Sequence, residues 1–367
     1  MKEMKDNKNI VRPMTDDLDF IRKHPSLCLG RWGDGSFSED GIYMLLKEVL
    51  NNSVNEFRKG HGSRIEVKME CNHSISVRDY GRGCSQNNLI KTITNVKTGW
   101  GLKYVNAMSS YFEIRTYQNG KMRMVVFERG ELKSDMTEVT KDDNGTYIIF
   151  QPDKSLFSNL QFDKNIIKVI LQNYAYLNTG LTLTFNGRSF FSHQGLKDLL
   201  SDRLSSDTLY PIIHLKGKDI EIAFTHTDQY GEELYSFVNG QYTYRGGIHQ
   251  ESLRRHIAST LKNALNIDVQ ENNDCLSGIV AAISIKVEKP IFASSAMIEL
   301  GSVKMSDGGP RIFEYVGDFV RTELDTFLHT YKEVADAIEK KIKINVFKCK
   351  TLAGCNYCHY IGRYKQR

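Results

Sequence analysis

The chain has 367 residues, 25% of them charged and 40% hydrophobic, with a formal net charge of +5. That composition fits a globular chain long enough for two domains, and the mild basic excess permits contact with nucleic acid without requiring it. No apolar run approaches the roughly eighteen residues of a membrane helix, no signal-peptide pattern follows Met1, and seven cysteines make no disulfide framework, so the expectation is a soluble cytoplasmic protein with reduced thiols and no membrane partner.

Residues 1–17 are polar and aperiodic and read as an arm. A short helix follows from Phe20 to Gly30, broken at Pro25, and then a glycine-rich loop, Arg31-Trp-Gly-Asp-Gly-Ser36. Ser38 is the expected N-cap of the next helix, with Glu39 and Asp40 in its first turn and Gly60 at its C-terminal stop. Ile42, Leu45, Leu46, Val49, Leu50, Val54 and Phe57 give this helix its apolar stripe. Glu48 and Asn52 are one turn apart on one face. A carboxylate and a carboxamide so placed can hold a water and a metal ion. Taken alone, the pair reads first as a solvated helix face.

Two alternating strands come next. Ile65, Val67 and Met69 mark the first, and Ile75, Val77 and Asp79 share one face of the second. Asp79 therefore points where the apolar residues point, which is costly unless something bonds its carboxylate. It either caps a nearby turn or accepts a hydrogen bond from a ligand's amino group, and Gly81 and Gly83 allow close backbone approach. Gly99 and Gly101 precede a helical run through Val105, Ala107 and Met108, where free N–H groups would favour phosphate. Asn119-Gly120 between two apolar runs predicts a hairpin over 111–127, and Gly145-Thr146 leads into a strand at 147–150. A helix at 165–177 and a strand at 181–185 complete an α+β layer. A second block, from about 207 to 345, has strands at 219–225, 233–239 and 279–287, a helix near 249–266 and a long helix from Phe313.

Glu48-x-x-x-Asn52, Asp79-x-Gly81-x-Gly83, Gly99-x-Gly101 and Gly145-Thr146 occur in the order of the nucleotide-binding motifs of GHKL ATPases. With His24-Pro-Ser-Leu-Cys-Leu-Gly30, Phe237-Val-Asn-Gly240 and Lys289-Pro-Ile-Phe-Ala-Ser-Ser295, the chain resembles the ATPase subunit of type IIA DNA topoisomerases from about residue 17 to 345. The resemblance implies an arm over 1–17, a Bergerat-type GHKL sandwich over 18–205, a transducer domain of α/β architecture with a long C-terminal helix over 206–345, and a tail over 346–367. It implies ATP and Mg²⁺ as cofactors. Glu48 would be the general base and Asn52 the Mg²⁺ ligand. Asp79 and Thr146 would contact adenine, and Gly81, Gly83, Gly99, Gly101 and Lys103 would line the nucleotide. DNA, a second copy joined on ATP binding, and a separate DNA-cleaving subunit would be partners.

Two departures stand out. Only residues 84–98 separate Gly83 from Gly99, a shortened lid, and Ser295 and Met297 stand where the family has a glutamine and a lysine. They favour, as the alternative, a module that binds nucleotide or a topoisomerase partner without efficient hydrolysis. Cys349, Cys355, Cys358 and His359 form an irregular cluster near the C-terminus, read as incidental thiols before zinc or haem.

Overall fold

The structure is a computed structural model that describes residues 16–25, 29–70, 72–94, 100–157, 161–267, 272–294 and 297–353. The chain divides into two compact units between His193 and Gln194.

The first unit opens with α1 (Asp16–Lys23), which ends just before the His24-Pro25 pair. A residue preceding proline is pushed out of the α region, so the helix stops there. Leu18 and Ile21 bury its inner face, and Arg22 donates to the Ala107 carbonyl and to Asp153. The next helix, α2 (Gly41–Arg58), buries Ile42, Leu45, Leu46, Val49, Leu50 and Val54, the stripe expected from the 3.6-residue period. Its start differs from expectation. Asp40, not Ser38, is the N-cap, and its side chain does not cap the helix. The Asp40 carboxylate instead turns back into the preceding loop, accepting from the Gly35 N–H (2.9 Å) and the Phe37 N–H (3.1 Å), with Arg31 3.0 Å away. A charged acceptor that gathers a guanidinium and two loop N–H groups is better served there than at the helix end.

The sheet of this unit runs β5-β4-β3-β6-β2-β1-β7-β8, with β1 (Arg64–Met69), β2 (Ile75–Asp79), β3 (Ser109–Gln118), β4 (Lys121–Glu128), β5 (Glu131–Val139), β6 (Gly145–Pro152), β7 (Thr182–Phe185) and β8 (Arg188–Phe190). Only β1 and β7 pair in parallel. Asn119 and Gly120 take φ of 54° and 73°, the paired positive values of the tight turn that Asn-Gly favours, and they close the β3–β4 hairpin. Helices α3 (Leu89–Thr94), α4 (Trp100–Met108) and α5 (Lys164–Tyr176) complete the unit. α2 packs on β2 and β6, α4 on β3 and β6, and α5 on β7, so the helices form a layer on the sheet.

The second unit has a five-stranded sheet, β12-β11-β13-β10-β9, made of β9 (Ile213–Lys216), β10 (Ile220–His226), β11 (Glu232–Val238), β12 (Gln241–Tyr242) and β13 (Ile279–Ile285). Its helices are α6 (Leu196–Arg203), α7 (Ile248–Ala264), α8 (Asn272–Leu276), α9 (Ile312–Thr330) and α10 (Lys332–Ala353). Ile222, Phe224, Ala281 and Ile283 meet Leu253, Ile257 and Leu261 of α7 and Val316, Val320 and Leu324 of α9 in one core. No helix among the described residues is long and apolar enough to cross a membrane.

Candidate active site

The site forms where the end of β2 meets the start of β6, beside α2. β2 and β6 are antiparallel neighbours, paired from Ile75↔Phe150 to Arg78↔Tyr147, so Asp79 at the end of one lies next to Gly145 and Thr146 at the start of the other. Asp79 is 2% exposed, as the parity of Ile75, Val77 and Asp79 requires. One carboxylate oxygen accepts from the Gly81 N–H (3.0 Å) and the Thr146 N–H (3.1 Å), and the other from the Ser53 hydroxyl on α2 (3.0 Å). The two readings of Asp79 are therefore compatible. It closes the local turn to Gly81, and a carboxylate with about four acceptor sites keeps one over for a ligand donor. Burial pushes its pKa up, against the lowering effect of those bonds.

Glycines bring the backbone close. At Gly83, φ is +79° and an added Cβ would lie 2.5 Å from the Tyr117 carbonyl. At Gly145, φ is +138° and a Cβ would lie 2.1 Å from the Asp79 carbonyl. Neither position accepts a side chain without moving backbone. Gly81 abuts Glu56 of α2, 2.9 Å from its Cβ to an added one. Thr146 is buried, with the half-buried Cys84 thiol 3.8 Å from its hydroxyl.

Glu48 and Asn52 are both half-buried on α2. Burial raises the Glu48 pKa above its ordinary value. Gly101 of α4 approaches it so closely that an added Cβ would lie 2.2 Å from its Oε2. Lys103, two residues further along α4, is 3% exposed and has interactions of its own within the protein. Gly99 and Lys97 lie outside the described residues, as do Ser295 and the residues from 354 on. Met297 is described and sits at a φ of 55°. Among the described residues no three His, Cys, Asp or Glu side chains gather as a metal cluster. The structure thus brings Glu48 against Gly101, and Asp79 against Gly81, Gly145 and Thr146.

One pair escaped the sequence reading. Arg82, between the two glycines, makes a two-pronged ion pair with Glu56 of α2, at 3.0 and 3.1 Å. The Arg82 hydrogen bond holds the Glu56 carboxyl down, at about 2. The available signal was helical spacing, since Glu56 lies two turns beyond Glu48 and one beyond Asn52.

Comparison with known proteins gives the same picture. Residues 195–347 match a family model described as DNA gyrase B. The B subunit of DNA topoisomerase 4 from Borreliella burgdorferi is 36% identical over 345 residues, which is 89% of this chain and 56% of that protein. The B subunit of DNA gyrase from Streptococcus pyogenes serotype M3 is 27% identical over 346 residues, 81% of this chain and 52% of that one. The chain thus spans about half the length of the relatives it matches. Among solved structures, the 43K ATPase domain of Thermus thermophilus gyrase B, bound to an aminocoumarin, superposes with a TM-score of 0.74 at 25% identity, covering 92% of this chain and 97% of that domain. The mixed α+β fold is that of the GHKL ATPase region. On these matches the chain is similar to type IIA topoisomerase B subunits over their ATPase region.

Proposed function

We propose that this chain is the ATP-binding and ATP-hydrolysing module of a type II DNA topoisomerase, in which nucleotide binding closes a dimer and hydrolysis resets it. The observation that carries the reading is Asp79, a buried carboxylate with three internal donors and one acceptor site to spare, flanked by glycines that admit a ligand. Such an acceptor suits the exocyclic amino group of adenine, with Thr146 supporting the same edge. Gly81, Gly83, Gly99 and Gly101 let the backbone approach the nucleotide, with Lys103 near its phosphates. Glu48, with its basicity raised by burial, takes the proton of the attacking water. A carboxylate lifted above its usual value is the stronger base once ionised.

Asn52 fits a magnesium ion held chiefly by phosphate oxygens and water, because Mg²⁺ seldom takes an all-protein cage and a carboxamide oxygen is a hard donor. When bound, the ion would neutralise phosphate charge. DNA, a second copy of the chain, and a separate cleavage subunit are the partners this reading requires. The domains this reading implies are an arm over 1–17, a GHKL domain over 18–205, a transducer over 206–345 and a tail beyond, although the compact units divide earlier, between His193 and Gln194, which gives α6 to the second. Calorimetric titration with a non-hydrolysable ATP analogue, beside a phosphate-release assay, tests the function. Binding together with release supports it, and no binding at millimolar nucleotide overturns it.

A second reading is a module that binds nucleotide or a topoisomerase partner without efficient turnover. Met297 favours it, since a thioether supplies no positive charge to a transition state that gathers negative charge. Binding without release would select this reading.

A further inference from the structure

The turn of α2 that carries Glu48 is clasped from the side by α5. Tyr174, 4% exposed, donates its hydroxyl to Asn51 Oδ1 at 2.7 Å, and that hydroxyl also lies 3.4 Å from the Lys47 carbonyl. Lys47, Glu48 and Asn51 belong to one turn, and Asn51 stands three residues after Glu48, within side-chain reach of it. Burial pushes the Tyr174 phenol well above its usual range, and the charge of Glu48 adds to that rise, so ring and carboxylate are electrostatic neighbours. On the other side, Gly101 leaves no room for Glu48 to swing towards α4.

A carboxamide has one end that accepts and one that donates. The phenol O–H takes the accepting end of Asn51. Without that bond the amide is free to rotate, and its N–H₂ can donate to the carboxylate three residues back. A donor on the base stabilises its charge and ties up the lone pair that must take a proton from water.

We propose that Tyr174 is a positioning residue: by holding the Asn51 carboxamide by its oxygen, it keeps the Glu48 carboxylate free of an internal donor and aimed at the attacking water. The inference rests on the ATPase reading above and adds to it a residue outside the motifs. Tyr174 acts through its bond to Asn51.

The test is a steady-state ATPase comparison of the full chain with Tyr174→Phe, Asn51→Leu and the double variant. Tyr174→Phe is expected to lower kcat about tenfold, the scale of a modest misalignment of a reacting group, with KM for ATP unchanged. Asn51→Leu removes the amide that would capture Glu48, so adding it to Tyr174→Phe should restore most of the lost kcat. A purely structural clasp would instead lower the melting temperature, and the two substitutions would compound. Unchanged kcat in Tyr174→Phe, or losses that multiply in the double variant, overturns the proposal. Glu48→Gln separates this failure from that of the parent reading. Turnover that depends on Glu48 but not on Tyr174 sinks this inference alone. Turnover independent of Glu48, or no turnover in the unmodified chain, sinks both.

Discussion

Gly101 on α4 and Glu48 on α2 are packed so closely that a methyl group at residue 101 would lie 2.2 Å from the carboxylate oxygen. The glycine is thus a spacer for the Glu48 carboxylate as well as a helix residue. Gly101→Ala should not weaken the local helix, since alanine is the better helix former by up to about 1 kcal/mol, although Gly101 is only the second residue of α4. It should also displace Glu48 and cut ATP turnover at least about tenfold. A melting curve and a phosphate-release assay on the same sample check both halves.

Asp79→Asn separates the structural from the binding role of the buried carboxylate. The asparagine oxygen can keep the Gly81 and Thr146 N–H bonds, and its NH₂ can donate to the Ser53 hydroxyl, which is able to accept. The fold should survive. The ligand, however, would meet a donor where it needs an acceptor, and nucleotide affinity should fall on the order of 10- to 100-fold, the weight of a hydrogen bond to a charged group. Calorimetric titration reads the affinity.

Glu48 gives a pH signature. Its folded pKa lies above the ordinary carboxylate value because burial disfavours the charge. A general base works only when ionised, so if Glu48 has that role turnover should fall on acidification at a higher pH than an ordinary carboxylate would set. The stability consequence has the opposite sense. A folded pKa raised above the unfolded one means the native state binds more protons, so stability is lost as pH rises past the unfolded value. Glu48→Gln should therefore melt higher than the parent at neutral pH while losing turnover, and melting curves at pH 7 check it.

In the second unit, α7 and α9 cross at Gly317, where an added Cβ would lie 2.4 Å from the His256 ring. That ring cannot yield cheaply. Its Nδ1 lies 2.9 Å from the Ser252 carbonyl, and its face packs on Phe313. Gly317→Ala should destabilise this unit by about 1–3 kcal/mol, overpacking outweighing the gain in helix propensity. Urea denaturation followed by circular dichroism measures it.

What the sequence revealed tracks what is local. The α2 stripe, the Asn119-Gly120 turn and the parity that buries Asp79 all follow from periods of 3.6 and 2 and from turn chemistry, which need no knowledge of distant residues. The nine residues of β5, every one exposed, bury no face that periodicity would mark, because this edge strand is held on β4 by backbone pairing and the Arg123–Asp135 ion pair rather than by the core. Asp40 was misplaced because its partners, Arg31 and the Gly35 and Phe37 amides, belong to a loop whose path only the fold decides. Helical spacing puts Glu56 on the face of Glu48 and Asn52 but does not name Arg82 as its partner, and the Tyr174–Asn51 bond joins residues 123 positions apart, beyond the reach of spacing arguments.

Whether Glu48 is the base of an ATP site is decided by Glu48→Ala. Nucleotide binding by calorimetry and phosphate release should be measured on the variant and the parent together. The variant should bind the ATP analogue as the parent does and release phosphate at least about 100-fold more slowly, the low end of general-base catalysis. Unchanged steady-state ATP turnover in Glu48→Ala would contradict it.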